Sequence, residues 1–309
     1  MGRYVARRLL QMIPVFIGST LLIFLMMYAL PGDPVRALMG DQAYDPAVVE
    51  SIKRDLGLDL PVWQQYLNYL GGLLQGDFGT EIASKRPVAE IIAQAFPVTI
   101  RLTLFAFAFT VFVGIGLGVI AGLRPDSVRD RGLLTLTLVL ISMPSFVLGY
   151  LMQFFFAFQL GITTPTVQDS ESFGDLLLPA IVLGSLSLAY VARLTRTSMA
   201  ENLRADYMRT AIAKGLPKHR IVGVHLMRNS LIPVVTFLGT DIGNLMTGAI
   251  VTEGIFNVQG VGDAIYEALF RREGATVVGI ASLIVIVYLI TSLLVDLLYA
   301  VLDPRIRYA

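Results

Sequence analysis

The 309-residue chain contains no cysteine and little charge. The absence of cysteine excludes disulfides and thiolate metal sites. Only 15% of the residues are charged and 55% are hydrophobic, whereas about a quarter of the residues in an average soluble domain are charged. A chain with this composition is expected to be a membrane protein.

The sequence also lacks the signatures of catalysis and nucleotide binding. No G-x-x-x-x-G-K-[ST] loop occurs, and the glycine-rich run 114–122 lies in an apolar stretch, where glycines favour close packing of helices. The two histidines, His219 and His225, have a poor spacing for metal ligands on one helix. We therefore predict a non-enzyme subunit with no catalytic, cofactor-binding or metal-binding residues of its own.

The chain is rich in long apolar runs. A membrane-spanning helix needs about 20 apolar residues. Six stretches reach or approach that length: 9–30, 98–123, 133–158, 176–193, 230–251 and 277–302. The fourth is short and contains Pro179, so a re-entrant segment is an alternative to a span. Pro144 and Pro233 are predicted to kink the third and fifth spans. The sequence predicts an all-α membrane protein with six transmembrane helices.

Lysine and arginine are distributed unevenly among the connections between these stretches. They cluster in the N-terminal tail, in 124–132 and in 193–228, but 159–175 contains none. Positive residues stay in the cytoplasm during insertion, so both termini are predicted to be cytoplasmic. The segment 31–97 is then external.

The external segment contains a pattern of its own. Residues 61–79 have helical apolar spacing, which favours either a small external cap or helices that lie on lipid headgroups. We predict two parts of the chain. Residues 1–97 form an anchor helix with an external insertion, and residues 98–309 form a five-helix core.

Residues 201–228, here called the basic helix pair, read as two amphipathic helices separated by Gly215 and Pro217. One interpretation is a nucleic-acid reader, but short tethers to two spans would keep such a helix out of the major groove. A second is a basic loop that only orients the protein. The third, which we favour, is a docking surface for a soluble cytoplasmic partner.

Several motifs resemble one family. "DYMRTAIAKGL" at 206–216 and "RNSLIPVV" at 228–235 are similar to the cytoplasmic coupling loop of peptide-importer permeases of the ATP-binding-cassette type. The general pattern of that loop is E-A-A, three residues, Gly, nine residues, I-x-L-P, and of its named positions only Ala211 and Gly215 match. Similar motifs elsewhere are "RYVARRLLQMIPVFIGST" (3–20), "LPGDP" (30–34), "GDFG" (76–79), "FPVTIRLTL" (96–104), "VTEGIFNVQGVG" (251–262) and "LDPRIR" (302–307).

The chain thus resembles the first permease subunit of dipeptide and oligopeptide importers, and permeases for nickel and glutathione are similar. The resemblance implies a type I importer permease fold in the cytoplasmic (inner) membrane of a prokaryote. Its partners would be a second homologous permease, an extracytoplasmic substrate-binding protein, and two ATP-binding subunits or domains that hold ATP and magnesium. Peptide and membrane lipid are expected ligands, and nucleic acid is not.

The resemblance also implies roles for particular residues. The basic helix pair would contact an ATPase through the following positions: Tyr207, Arg209, Ala211, Gly215 and Leu216. The polar segment that follows the fifth span suggests an external gate or a contact with the binding protein at Glu253 and Phe256.

The fifth span contains an acidic residue near mid-depth. Asp241 and Asn244 are predicted to line the translocation path, because an acid inside a span usually faces the bundle interior or a wet cavity. A packing or partner-subunit contact is the alternative. Two rival functions remain open, an ion-coupled secondary transporter with its ion site at Asp241 and a membrane-tethered regulatory protein.

Overall fold

A computed structural model describes residues 2–29, 46–55 and 57–302. Apart from a single bridge between Thr80 and Pro87, the regular structure of these residues is helical. The motif "LPGDP" and nearly all of "LDPRIR" lie outside them. The helices are α1 (Gly2–Ala29), α2 (Pro46–Asp55), α3 (Val62–Leu74), α4 (Val88–Gly122), α5 (Val128–Ser142), α6 (Ser145–Gln159), α7 (Phe173–Leu203), α8 (Asp206–Ala213), α9 (218–230), α10 (Ile232–Phe256), α11 (Val261–Phe270) and α12 (Gly274–Leu302).

The all-α prediction is confirmed. In the described ranges, five helices are long and apolar enough to cross a membrane, and they are α1, α4, α7, α10 and α12. The fourth apolar stretch is not re-entrant. It forms the 31-residue helix α7, which continues through Pro179 without a break and is the most buried of the five.

The third apolar stretch differs from the prediction of one kinked span. It forms α5 and α6, which are bent by 108° at a break around Met143 and Pro144. Met143 has the extended conformation, with φ −98° and ψ 130°. A residue before proline is pushed out of the α region and the proline has no N–H to donate, so the helix ends there. The described chain thus has six spans only if this bent pair is one of them.

Two predictions near the basic helix pair were wrong, one about a kink and one about the extent of a helix. Pro233 does not kink the fifth span but lies in the first turn of α10, where a missing N–H costs nothing. The predicted helix 201–214 is divided, because α7 ends at Leu203 and Ala205, which is extended, precedes α8.

The chain forms two compact units, residues 100–258 and residues 1–99 with 259–309. The predicted division after residue 97 stays a prediction. In the 100–258 unit, α4 packs closely on α7. A Cβ added to Gly118 would lie 2.5 Å from the Thr195 Cβ, and one added to Gly122 would lie 2.6 Å from the Met199 Cβ. These glycines therefore set the distance between the two helices.

The unit of residues 1–99 and 259–309 has its own apolar core. Its buried residues come from α4, α11 and α12: Val88, Ile92, Ala95, Val261 and Ile280. The backbone of the segment between α3 and α4 also approaches α12 closely, since a Cβ on Gly279 would lie 2.5 Å from the Phe78 carbonyl oxygen. The short segment between α3 and α4 is thus packed directly on α12.

Candidate functional site

The basic helix pair is anchored by methionine and leucine. Met208 of α8 and Leu226 of α9 are fully buried against Met199, near the end of α7. Ala211 lies on the same inner side of α8 and is 5% exposed. One face of the pair is therefore fixed to a membrane-spanning helix.

The opposite face of the basic helix pair is open. The Tyr207 hydroxyl donates to the Asn202 side-chain oxygen at 2.7 Å, and Arg209 lies 3.5 Å from Asp206 with both side chains exposed. Ile212, directly after the buried Ala211, is 61% exposed. The predicted contact residues are thus divided, with Tyr207 and Arg209 on the outer face and Ala211 behind it.

The turn between α8 and α9 depends on the backbone of Gly215. Its φ is +70°, and a Cβ added there would meet nothing within 4 Å. The Gly215 N–H donates to the Ile212 carbonyl at 2.9 Å and the half-buried Leu216 donates to the Ala211 carbonyl at 3.4 Å, as in a Schellman motif. A left-handed conformation, rather than lack of space, is what favours glycine here.

An ion pair that the sequence analysis missed lies near the anchor of the basic helix pair. Arg196 of α7 donates from Nε and Nη2 to the two carboxylate oxygens of Asp130 on α5, at 2.7 and 2.5 Å. The Asp126 N–H also donates to Asp130, whose side chain is fully buried. Ser127 and Asp130 have the spacing of a helix start, but no local signal in the sequence indicates Arg196 as the partner.

Asp241 and Asn244 lie about 60° apart around α10 but differ in burial. Asp241 is 2% exposed, and its Oδ1 accepts a hydrogen bond from the Ser187 hydroxyl of α7 at 2.9 Å. Its Oδ2 is buried and has no hydrogen-bond partner among the described residues. Asn244 is exposed, together with Thr240 and Thr247. The structure therefore joins Asp241 to a neighbouring helix and leaves Asn244 in an open polar stripe.

Glu253 and Phe256 are fully buried at the end of α10. The Phe256 carbonyl accepts from the Val167 N–H at 2.8 Å, and Gln153 of α6 donates to the carbonyls of Ile255 and Pro165. In this conformation neither side chain is presented for direct contact with another protein. Their assignment to an external gate stays a prediction.

Both parts of the chain match families of transport components. Residues 114–308 match the family described as "Binding-protein-dependent transport system inner membrane component". Residues 1–103 match "Binding-prot-dependent transport system membrane comp, N-term". The chain therefore belongs to the family of inner-membrane components of binding-protein-dependent transport systems. It is a multi-pass permease subunit of the inner membrane.

Curated relatives cover the full length of the chain. The di/tripeptide transport system permease protein DppB of Pseudomonas aeruginosa (strain UCBPP-PA14) is 39% identical over 99% of this chain and 98% of its own length. The dipeptide transport system permease protein DppB of Escherichia coli (strain K12) is 38% identical over 100% and 99%. The glutathione transport system permease protein GsiC of E. coli K12 is 39% identical over 100% of both chains.

Proposed function

We propose that this chain forms part of the translocation path of an ATP-driven importer of dipeptides and oligopeptides. Relatives that match it from end to end are named for dipeptide or di/tripeptide transport. Another relative of similar identity is named for glutathione, which makes glutathione the second candidate cargo. An importer subunit needs no ATPase motif of its own, since partner subunits would bind ATP and magnesium.

The basic helix pair carries the mechanical part of this proposal. Its inner face is fixed to α7 through Met199, Met208 and Leu226, and its outer face is exposed. An ATPase that binds Tyr207, Arg209 and the Gly215–Leu216 turn would therefore pull on a span when it closes on ATP. Ala211 would support the contact from behind.

The membrane path is proposed to involve α10. The stripe of Thr240, Asn244 and Thr247 is exposed on this helix, where a second permease subunit could complete a polar passage. Asp241 would position α10 against α7 through Ser187. Glu253 and Phe256, buried at the end of the same helix, would take part in an external gate by holding its backbone in place.

The proposed topology places both termini and the basic helix pair in the cytoplasm. Alternating access would then expose the path first to the extracytoplasmic binding protein and afterwards to the cytoplasm. The partners would be that binding protein, a second homologous permease and two ATP-binding subunits or domains. The uneven distribution of lysine and arginine supports this topology.

The proposal is tested with the assembled transporter in proteoliposomes. Gly215→Val should lower binding-protein-stimulated ATPase activity and uptake, because a β-branched residue is strained at φ +70°. Gly215→Asn is the matched control, since asparagine tolerates the left-handed conformation. Unchanged uptake by the valine variant would contradict the coupling role.

Cargo is tested separately with the unmodified complex. Labelled dipeptides and glutathione are offered in competition, and uptake is measured with each one in excess. Preference for dipeptides supports the proposal, whereas selective uptake of glutathione would favour the second candidate. Uptake that continues without ATP and follows an ion gradient would contradict both.

A further inference from the structure

Helix α3 presents three distinct faces. At about 100° per residue, Trp63, Leu67 and Leu74 lie within about 40° of one another. Tyr66 and Leu73 are buried roughly 90° to one side. The exposed Asn68, together with the exposed Gln75 directly after the last residue of the helix, lies roughly 110° to the other. The helix thus has a buried face, an exposed apolar face and a polar face.

The buried face attaches α3 to two membrane-spanning helices of the same unit. The Tyr66 hydroxyl donates to the Ile17 carbonyl of α1 at 3.0 Å and lies 3.0 Å from the Thr20 hydroxyl. The Tyr69 hydroxyl donates to Ser282 of α12 at 2.7 Å. Phe24 adds ring contacts to both tyrosines.

These contacts place α3 below the ends of the two spans. The apolar stretch of α1 ends at Met26, so Thr20 lies about 9 Å inside that end at 1.5 Å per residue. Ser282 lies about 12 Å inside the start of α12 by the same measure. Half of the hydrocarbon core of a bilayer is about 15 Å thick. The attachment points of α3 are therefore at the depth of lipid acyl chains, not of bulk water.

The exposed face of α3 is apolar, and so are the exposed residues of α1 next to its attachment point. Trp63, Leu67 and Leu74 are 65%, 54% and 79% exposed. On α1, Leu21 and Leu22 follow directly after Thr20 and are exposed as well. The sequence of α3, VWQQYLNYLGGLL, contains no charged residue. A face of this kind is unfavourable in water and suits the boundary between headgroups and acyl chains.

We propose that α3 is embedded in the outer boundary of one leaflet, with Trp63, Leu67 and Leu74 against lipid acyl chains and Asn68 and Gln75 toward water. The helix is then a lateral anchor beside α1 and α12 rather than part of an aqueous cap. This placement depends on the spans and not on which side of the membrane is cytoplasmic. It is also independent of the transported cargo.

The absence of cysteine and the presence of a single tryptophan allow a direct test on the full chain. Leu67→Cys and Asn68→Cys, adjacent positions on two different faces, are each spin-labelled in vesicles of phosphatidylethanolamine and phosphatidylglycerol. The label at residue 67 should collide more with oxygen than with a water-soluble nickel chelate. The label at residue 68 should show the reverse order, which makes it the matched control.

Trp63 gives a second measurement without any substitution. Lipids with brominated acyl chains should quench more than half of its emission, whereas aqueous iodide should quench little. Binding protein added to the vesicles should leave both values unchanged.

Three outcomes would overturn the placement of α3. The first is equal access of the nickel chelate to both labels, which would indicate an aqueous cap. The second is a label at residue 67 that neither reagent reaches, which would indicate cover by protein. The third is Trp63 emission that brominated lipid does not quench, or quenching that the binding protein abolishes.

Discussion

Helices in the 100–258 unit are joined by pairs of side chains and by close glycine contacts. Gly118 brings α4 against Thr195 of α7, and Asp130 and Arg196 join α5 to the same helix. Each of these contacts needs a suitable residue at two positions of the chain. Their common element is α7, which also anchors the basic helix pair.

In the unit of residues 1–99 and 259–309, many of the polar contacts run from a side chain to the backbone. The Glu273 carboxylate accepts from the N–H groups of Ile82 and Ala83 at 2.8 and 2.9 Å. The Thr99 hydroxyl accepts from the Val261 N–H at 2.9 Å. In these contacts one side chain suffices, because almost any residue can supply the backbone group.

The two kinds of contact suit different mechanical demands on the two units. Under the proposed coupling role, a displacement at the basic helix pair would be passed on only if α4, α5 and α7 keep their spacing, and interlocked side chains resist relative movement of helices. Bonds from a side chain to the backbone instead hold short segments and helix starts onto a span. Four substitutions test this comparison.

Gly118→Ala is expected to have the largest effect. The new Cβ would lie 2.5 Å from the Thr195 Cβ and 2.6 Å from the Ala192 carbonyl oxygen, so helix backbones must separate. Overpacking of this kind costs about 2–3 kcal/mol. We expect a lower apparent melting temperature in detergent and loss of stimulated ATPase activity in the complex.

Gly116→Ala is the control for that substitution. A Cβ at Gly116 meets nothing within 4 Å, and alanine favours a helix over glycine by up to about 1 kcal/mol. The control should therefore be neutral or stabilising. Equal melting temperatures for the two variants would remove the argument for glycine-set spacing in this unit.

Asp130→Asn should have the next largest effect. The substitution keeps one acceptor for Arg196 but removes the charge, and hydrogen bonds to charged groups contribute roughly 1.5–3 kcal/mol. We expect a loss of about 2 kcal/mol in the free energy of unfolding. Glu90→Gln, which affects the exposed pair with Arg86 in the other unit, should cost less than about 0.5 kcal/mol. A larger loss of unfolding free energy for Glu90→Gln than for Asp130→Asn would contradict the view that side-chain pairs matter more in the 100–258 unit.

Glu273→Gln is expected to have a smaller and more local effect. The glutamine keeps one acceptor and turns an amide N–H₂ toward a backbone N–H, so one of the two bonds is lost at about 1 kcal/mol. Hydrogen exchange at Ile82 and Ala83 should become faster, while exchange within α7 stays unchanged. Glu267→Gln, at an exposed pair with Arg271, is the control and should leave exchange at both amides unaltered.

The spans were predictable because apolar length is a local property of the sequence. Pro144 also marked the position of the break between α5 and α6. Its angle of 108° depends on the packing of both helices and had no signal in the sequence. Pro233 was misread because the start of α10 is set by the end of the preceding helix.

The candidate site was predictable by segment but not by residue. Ala211 and Ile212 are neighbours at the edge of one amphipathic pattern, and only docking on α7 decides that Ala211 is buried and Ile212 exposed. Asp130 and Arg196 are 66 residues apart, so no helical period relates them. Such pairs become visible only when the helices are assembled.

Asp241→Asn should have the smallest effect on uptake. It tests whether Asp241, like Asp130, serves to join two helices of the 100–258 unit. Asparagine keeps an oxygen that can accept from the Ser187 hydroxyl, so a residue that only joins α10 to α7 should tolerate the change. We expect uptake of peptides with a free amine to match the unmodified complex, whereas Asp241→Leu, which removes the acceptor, should lower it. If Asp241→Asn instead abolishes uptake of such peptides while melting temperature is unchanged, the negative charge itself is required. Asp241 would then belong to the path with Asn244, and α10 would need to rotate its buried face toward the passage during transport.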